Sequence, residues 1–301
     1  MKVLVAGGTG FIGRRLCTEL HDRGHDVTAL ARSPDASVVP EGVTVVEGDV
    51  TDPDSLRTPL EGQDAVVNLV ALSPLWEPEG GNEMHDRVHR GGTENLLNAA
   101  EDADIRRFVQ MSGLITGDED LTSYHRAKAR AEEIVRGADL EYVIYRPSIV
   151  FGDGDEIVGY TTKLKQMFAP VGPLYPLPGG GERTFFQLIH VEDLAPMLAD
   201  GVEDDDRANE TYELGGPKVY SLREMTELVF ESKGRSVTIV PLPMSLSKVG
   251  MSVMGVVPGL RLGPDQFRGL KADNRVSDND VDAFGVSESE MTTFEEYLGV
   301  R

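Results

Sequence analysis

Tyr124 and Lys128 stand four residues apart in a stretch, Thr122 to Gly137, whose apolar spacing predicts a helix. Residues four apart lie on the same helix face, so the phenol and the ammonium are expected to be neighbours. A tyrosine, with a pKa near 10, transfers protons at neutral pH only if a nearby cation favours its phenolate. The pair therefore indicates proton transfer, with Tyr124 as the acid/base and Lys128 as the cation.

A second chemical motif opens the chain, where an apolar strand runs directly into glycines at 7, 10 and 13. A helical pattern follows from Arg14. Such a strand, turn and helix bring backbone N-H groups and a positive helix end to a dinucleotide pyrophosphate. The residues predicted to contact this cofactor are Gly7, Thr9, Gly10, Phe11, Ile12, Gly13 and Arg14.

The end of the second predicted strand indicates which cofactor is preferred. An acidic residue there would bond the adenosine ribose and repel a 2′-phosphate, but this chain has Arg32. Arg32, assisted by Arg14, could pair with a 2′-phosphate, so we predict NADP(H) over NAD(H). Asp49 could accept a hydrogen bond from the adenine, while its neighbours Thr51 and Asp52 could equally cap the next helix.

Strand-like runs alternate with helical patterns through the first half of the chain, which predicts an α/β Rossmann fold, a doubly wound parallel sheet. The six predicted strands are Val3–Ala6, Val27–Ala31, Val43–Glu47, Ala65–Val70, Arg107–Met111 and Tyr142–Tyr145. Strand-like runs return at Phe185–His190 and Thr211–Leu214. We expect a nucleotide-binding domain at 1–152 plus about 185–216. A smaller discontinuous C-terminal substrate or docking lobe would take about 153–184 plus 217–301.

These motifs resemble the short-chain dehydrogenase/reductase superfamily, in its extended or atypical branch of epimerase/dehydratase-like proteins. The resemblance rests on the glycine turn, Gly48-Asp49, Tyr124 with Lys128, the run Tyr145 to Gly152, and the run His190 to Ala195. It implies that Tyr124 is the general acid/base, that Lys128 binds the nicotinamide ribose, and that Ser112 orients the substrate oxygen. It also implies cofactor contacts from Val50, Val70, Ala71 and Pro147.

Gly113 stands where the family's catalytic hydroxyl usually lies. Ser112 or Thr116 could replace it, or the hydroxyl is missing. The segment before Tyr124 is also shorter than in sugar-nucleotide epimerases. A closer likeness, through Ser112-Gly113-Leu114, the run Tyr212 to Pro217 and the run Pro264 to Leu270, is to the dehydrogenase-like accessory subunit of respiratory complex I and its prokaryotic relatives.

Three functions therefore stay open. The first is an NADP(H)-dependent oxidoreductase that moves hydride at a carbonyl or carbinol carbon of an unidentified small molecule. The second is a non-catalytic NADPH-binding accessory or sensory protein, peripherally associated with a membrane respiratory complex. The third is a sugar-nucleotide epimerase or dehydratase.

The net charge indicates which partners and which salt conditions suit this protein. The chain has 301 residues, 51 of them acidic and 29 basic, with a net charge of -22. Such a surface repels nucleic-acid phosphates, so no nucleic-acid partner is expected. Only 8 of the basic residues are lysines, which resembles proteins of salt-accumulating halophiles. An ordinarily acidic cytoplasmic protein is the alternative.

Other features give further expectations. Cys17 is expected in the core. His85 and His89 share a helical face and could hold a metal, but no third ligand is evident, so a solvated helix face is expected. Trp76 could stack on a ligand or fill a gap. The apolar stretch 242–260 is expected to form a buried or docking helix, with membrane-surface contact as the alternative, and no signal peptide is expected before the first strand. The expected location is cytoplasmic, or peripheral to the inner face of the membrane.

Overall fold

Seven parallel strands form the central sheet in the computed structural model, which describes residues 1–114, 122–245, 261–269 and 273–300. In chain order these strands are β1 (Lys2–Ala6), β2 (Asp26–Ala31), β3 (Thr44–Glu47), β4 (Ala65–Asn68), β5 (Arg107–Met111), β6 (Glu141–Pro147) and β11 (Glu210–Leu214). The strands lie in the order β11-β6-β5-β4-β1-β2-β3. The predicted doubly wound parallel sheet is confirmed, and the predicted strand Thr211–Leu214 joins it at one edge.

Helices cover both faces of this sheet because successive strand residues point to opposite sides. They are α1 (Phe11–Asp22), α2 (Arg57–Leu60), α3 (Glu83–His85), α4 (Gly92–Asp102), α5 (Ser123–Arg136), α6 (Ile157–Phe168), α7 (Val191–Glu203) and α8 (Leu222–Glu231). The helices α1 and α7 pack on one face, with Cys17 fully buried in that core as expected. The helices α2, α4 and α5 pack on the other face.

Three short strand pairs lie outside the central sheet. They are β7 (Val150–Phe151) with β10 (Ile189–His190), β9 (Phe185–Phe186) with β12 (Tyr220–Ser221), and β8 (Leu174–Pro178) with β13 (Thr238–Leu242). The predicted strand run 185–190 is split into two short strands, and neither pairs with the seven-stranded sheet, although Ile189 packs in the core cluster of that sheet. The division of the chain into two domains stays a prediction. The helices α6 and α8 contact each other beside these pairs.

The remaining helices of the described chain are short, and include Pro264–Gly269 and Phe294–Leu298. Within the described ranges, no helix is long and apolar enough to cross a membrane. The expected helix at 242–260 falls almost entirely outside the described residues, and Leu242 itself belongs to a strand.

The strand order reverses around β1, which has β2 on one side and β4 on the other. Loops leaving the carboxyl ends of β1 and β4 therefore diverge and open a crevice, the usual ligand site of such sheets. Gly7 follows β1, and Leu69 and Val70 follow β4. These segments approach closely, since a Cβ added to Gly7 would lie 3.4 Å from the backbone of Leu69 and Val70. This crevice is where the predicted nucleotide residues meet.

Candidate functional site

One cleft of about 1410 Å³ runs from the glycine turn past α5 to α6 and α8. It brings together fifteen of the sixteen site residues that the sequence predicts. These are Gly7, Thr9, Gly10, Phe11, Ile12, Gly13, Arg32, Asp49, Val50, Val70, Ala71, Ser112, Tyr124, Lys128 and Pro147. These residues are far apart in the sequence, and the carboxyl ends of the parallel strands bring them together.

The glycine turn has the geometry that a dinucleotide site needs. Gly7 has φ +83°, and a Cβ on Gly13 would lie 2.1 Å from the Gly7 carbonyl oxygen. Side chains at these positions would strain the turn or separate it from α1. In the described structure, no side chain caps α1 and its first turn holds no acidic residue. The N-H groups at this helix end therefore remain available to an anionic pyrophosphate.

The two arginines predicted at the 2′-phosphate lie in different places. Arg32 directly follows β2, lines the cleft and is exposed. Among the described residues it makes no ion pair. Arg14 does not line the cleft, because its guanidinium donates a hydrogen bond to the Asp153 carbonyl oxygen in the loop after β7. In this structure the Arg14 guanidinium is thus held at the loop after β7, and its assistance to Arg32 stays a prediction.

The structure favours a turn-forming role for Asp49. One of its carboxylate oxygens accepts hydrogen bonds from the backbone N-H of Thr51 at 2.8 Å and from its hydroxyl at 2.9 Å. The loop beyond β4 is fixed differently, by Asn68, which is buried and bonded to Thr93 and Gln110 at 3.0 Å each. Sequence reasoning missed Asn68, although a polar residue inside an otherwise apolar strand was a visible signal.

Tyr124 and Lys128 lie on α5. Thr122 caps the start of this helix, because its side chain accepts a hydrogen bond from the His125 N-H. The Lys128 ammonium lies 5.8 Å from the centre of the Tyr124 ring. It donates a hydrogen bond of 2.8 Å to the carbonyl oxygen of Met111, at the end of β5. The predicted pairing of the two side chains on one face is confirmed.

Burial sets the protonation of both groups. It raises the pKa of Tyr124 to about 12, so the phenol is protonated near neutral pH. Burial lowers the pKa of Lys128 to about 8, although the carboxylate of Glu132 opposes that shift. Lys128 is 2% exposed and uses one of its three protons on Met111, so it retains donors for a ligand.

The residue facing the Tyr124 hydroxyl is Gly113. A Cβ on Gly113 would lie 3.3 Å from that oxygen. Ser112, which also lines the cleft, is buried, and its hydroxyl contributes to lowering the pKa of the Glu132 carboxyl. The role of Ser112 in orienting the substrate oxygen stays a prediction. Thr116, the other residue considered, lies outside the described residues.

Three histidines surround the Tyr124 ring, which sequence reasoning did not anticipate. The ring centre of His89 lies 5.1 Å from that of Tyr124, with His125 at 5.4 Å and His85 at 5.7 Å. His85 and His89 are each 2% exposed, so the expected solvated helix face is wrong. Asp86–Gly91 forms a π-helix here, and Val88 and His89 are its buried residues.

Burial keeps these imidazoles neutral. It lowers the pKa of His125 to about 4, lowers that of His85, and lowers that of His89 well below its usual value. The Nε2 atom of His89 lies 3.4 Å from the Leu72 N-H and accepts from it. In the described part of the chain, no group of three or more histidine, cysteine or acidic side chains is arranged to hold a metal ion.

Comparison with known proteins agrees with this geometry. Residues 7–168, more than half of the chain, match a family described as NAD(P)H-binding. The chain is 31% identical, over 91% of its length, to NADH dehydrogenase [ubiquinone] 1 alpha subcomplex subunit 9, mitochondrial, of Arabidopsis thaliana, and spans 71% of that protein. It is 32% identical, over 86% of its length, to the chloroplastic divinyl chlorophyllide a 8-vinyl-reductase of Zea mays, and spans 65% of it.

Among solved structures, a nucleoside-diphosphate-sugar epimerase from Staphylococcus aureus is similar in fold. It superposes with a TM-score of 0.74, 15% sequence identity and 99% coverage of both chains. At that identity the likeness concerns the fold alone. The family match and the fold together identify the protein: the chain belongs to the NAD(P)H-binding family of Rossmann-fold proteins.

Proposed function

We propose that this protein is an NADP(H)-dependent oxidoreductase that transfers hydride at a carbonyl or carbinol carbon. The observation that carries the proposal is that Tyr124 and Lys128 line the same continuous cleft as the glycine turn. The reduced dinucleotide supplies the hydride when bound. Tyr124, protonated because its pKa is raised to about 12, donates its proton to the substrate oxygen.

Lys128 has two functions in this proposal. Its remaining N-H donors hold the cofactor ribose, and its positive charge favours the Tyr124 phenolate until a proton is regained from water. The fixed Met111 carbonyl holds the ammonium in place from the side of the sheet. The preference for NADP(H) rests on Arg32, which is exposed at the end of β2 and lines the cleft.

The test is substitution of Tyr124 by Phe in the full-length protein. NADPH affinity, followed by fluorescence, should stay within about twofold of wild type, because the hydroxyl does not hold the dinucleotide. Turnover of NADPH with a carbonyl substrate should fall by at least about 100-fold, the range expected for loss of a general acid. Equal turnover in the Tyr124→Phe variant would rule out Tyr124 as the proton donor.

A second function has one observation in its favour. Among the described residues, Gly113 places no side-chain hydroxyl beside that of Tyr124, which suits a protein that binds NADPH without turning it over. One relative is, by its name, a subunit of a respiratory NADH dehydrogenase. This accessory function predicts bound NADPH that stays reduced and co-sedimentation of the protein with membranes. Turnover of a carbonyl compound by the purified soluble protein would exclude it.

A further inference from the structure

The cleft continues beyond Tyr124 into a space that we call the apolar chamber. Its walls come from α6, β8 and α8 and include Tyr160, Leu164, Phe168, Tyr175, Leu177 and Met225. Leu222, on α8, packs with both apolar clusters of this region. The chamber is therefore built from the elements that lie outside the central sheet.

The cleft is larger than the pockets that hold one drug-sized ligand. Ligand pockets measure about 300–1,000 Å³, whereas this cleft measures about 1410 Å³. The glycine turn, Arg32 and Lys128 account for the dinucleotide end. The apolar chamber thus has room for a second organic molecule while the cofactor is bound.

The tyrosines of the chamber contribute ring surface to its walls. The Tyr175 hydroxyl donates a hydrogen bond to the Thr161 carbonyl oxygen at 3.1 Å, within the protein. Tyr160 packs against Trp76 with the ring centres 4.8 Å apart and edge to face. Burial raises the pKa of Tyr160 to about 12, so it carries no charge. These rings therefore offer flat apolar contact area.

The basic side chains of α6 are engaged away from the chamber. The Lys163 ammonium lies 4.5 Å from the centre of the Trp76 ring, and Lys165 donates to the Ala169 carbonyl oxygen. Across the described residues, the arginines, lysines and histidines that line the cleft are Arg32, Arg87, His125 and Lys128. None of these belongs to α6, β8 or α8, so the described chamber walls supply no cation for a phosphate.

Carboxylates lie at the edge of the chamber instead. Asp155 accepts from the N-H groups of Gly152 at 2.9 Å and Ile157 at 2.7 Å, and burial raises its pKa. Glu156 accepts from the Ser73 hydroxyl. Negative charge here, on a chain with a net charge of -22, disfavours anionic substrates such as sugar nucleotides.

We propose that the apolar chamber binds an uncharged, mainly hydrocarbon carbonyl compound. Its oxygen lies at the Tyr124 hydroxyl, and its hydrocarbon body packs against α6 and α8. This inference rests on the proposed oxidoreductase function and names its substrate class. Hydride from NADPH goes to the carbonyl carbon and the Tyr124 proton goes to the oxygen, so the products are the alcohol and NADP⁺.

The test uses the NADPH-loaded full chain in high salt, with calorimetric titration of three probes: dodecan-2-one, butan-2-one and UDP-glucose. We expect dodecan-2-one to bind at least about tenfold more tightly than butan-2-one, because its longer chain buries more apolar area. UDP-glucose should not bind measurably. Tighter binding of UDP-glucose than of dodecan-2-one would overturn the inference.

A pair of variants on α6 localises the binding. Leu164 lines the chamber, and Gln166, two residues later, is exposed and does not. Leu164→Arg should weaken binding of dodecan-2-one at least about tenfold by placing a charge on the apolar wall, and Gln166→Arg should leave it unchanged. Unchanged NADPH affinity shows that the Leu164→Arg variant is folded. If this variant does not bind NADPH, Leu164→Gln is used in its place. Equal binding by both arginine variants would overturn the inference.

NADPH oxidation, recorded in parallel, separates this inference from the proposed function. Binding of dodecan-2-one without oxidation of NADPH supports the chamber assignment and contradicts the oxidoreductase. Oxidation of NADPH with a small polar carbonyl, but no binding of dodecan-2-one, supports the oxidoreductase and contradicts the chamber assignment.

Discussion

The Cβ atom that Gly113 lacks would lie 3.3 Å from the hydroxyl oxygen of Tyr124. That separation leaves the phenol open to the cleft where a serine or threonine would otherwise place a second hydroxyl. Gly113 has no positive φ, so its backbone accepts a side chain once the Tyr124 hydroxyl moves by a few tenths of an ångström. Substitutions at Gly113 therefore test whether Tyr124 takes part in catalysis.

Gly113→Ser should increase carbonyl turnover by about tenfold or more, because the new hydroxyl can orient the substrate oxygen beside Tyr124. Steady-state NADPH oxidation measures it. Gly113→Ala is the matched control: it fills the same space without a donor, and should lower turnover or leave it unchanged. An equal gain in both variants would attribute the effect to packing and not to the hydroxyl.

Arg32→Glu should weaken NADPH binding by at least about tenfold, because the carboxylate repels a 2′-phosphate and can bond a ribose hydroxyl. NADH affinity should stay the same or improve. Fluorescence titration with both cofactors measures the ratio. Arg183→Glu makes the same charge change at an exposed arginine that does not line the cleft, and should leave the ratio unchanged. A preference for NADH in the wild type would contradict the prediction.

Lys128→Met should stabilise the ligand-free protein by about 1–3 kcal/mol, because it removes an ammonium whose pKa burial lowers to about 8. Denaturant unfolding measures this gain, and NADPH affinity should fall. Lys233→Met, at an exposed lysine, should change the unfolding free energy by less than about 0.5 kcal/mol.

Because burial lowers the pKa of Lys128, the stability gained by Lys128→Met should depend on pH. Below pH 8 the ammonium is charged in both states and the full penalty is present. Between about pH 8 and pH 10.5 the unfolded chain binds the proton and the folded protein does not, so wild-type stability should rise with pH. The gain from Lys128→Met should shrink over that window. A gain that does not change with pH would contradict the assignment.

Acid should destabilise the protein partly through His125, whose pKa burial lowers to about 4. Its contribution is fully present above the unfolded pKa of about 6.5 and is lost as the pH falls toward 4, because the unfolded chain then binds the proton. Unfolding free energies of wild type and His125→Gln measured over this range should differ in slope, the variant being flatter. Parallel curves would show that His125 does not contribute.

Salt should stabilise the fold, because the net charge of -22 is self-repelling. At about 1 M salt the Debye length is only about 3 Å, so repulsion between surface carboxylates is screened. The melting temperature should rise steadily from about 0.1 M to about 2 M KCl, and equally in NaCl. A melting temperature that does not depend on salt would favour an ordinarily acidic protein.

The sequence alone predicted the local features of the site. Glycines at 7, 10 and 13 after an apolar strand require a tight turn and an open helix end, and Tyr124 with Lys128 must share a helix face. The alternation of strands and helices also predicted the parallel sheet. Each of these depends on backbone geometry within a few residues, which local periodicity records.

The tertiary structure alone decided which neighbours these residues meet. It placed Gly113 next to the Tyr124 hydroxyl, and directed Arg14 to the loop after β7. It also buried His85 and His89 around the Tyr124 ring, where a π-helix alters the spacing of the side chains. Such contacts join segments that are far apart in the chain. The direction in which each side chain points depends on tertiary packing, which local sequence patterns do not reveal.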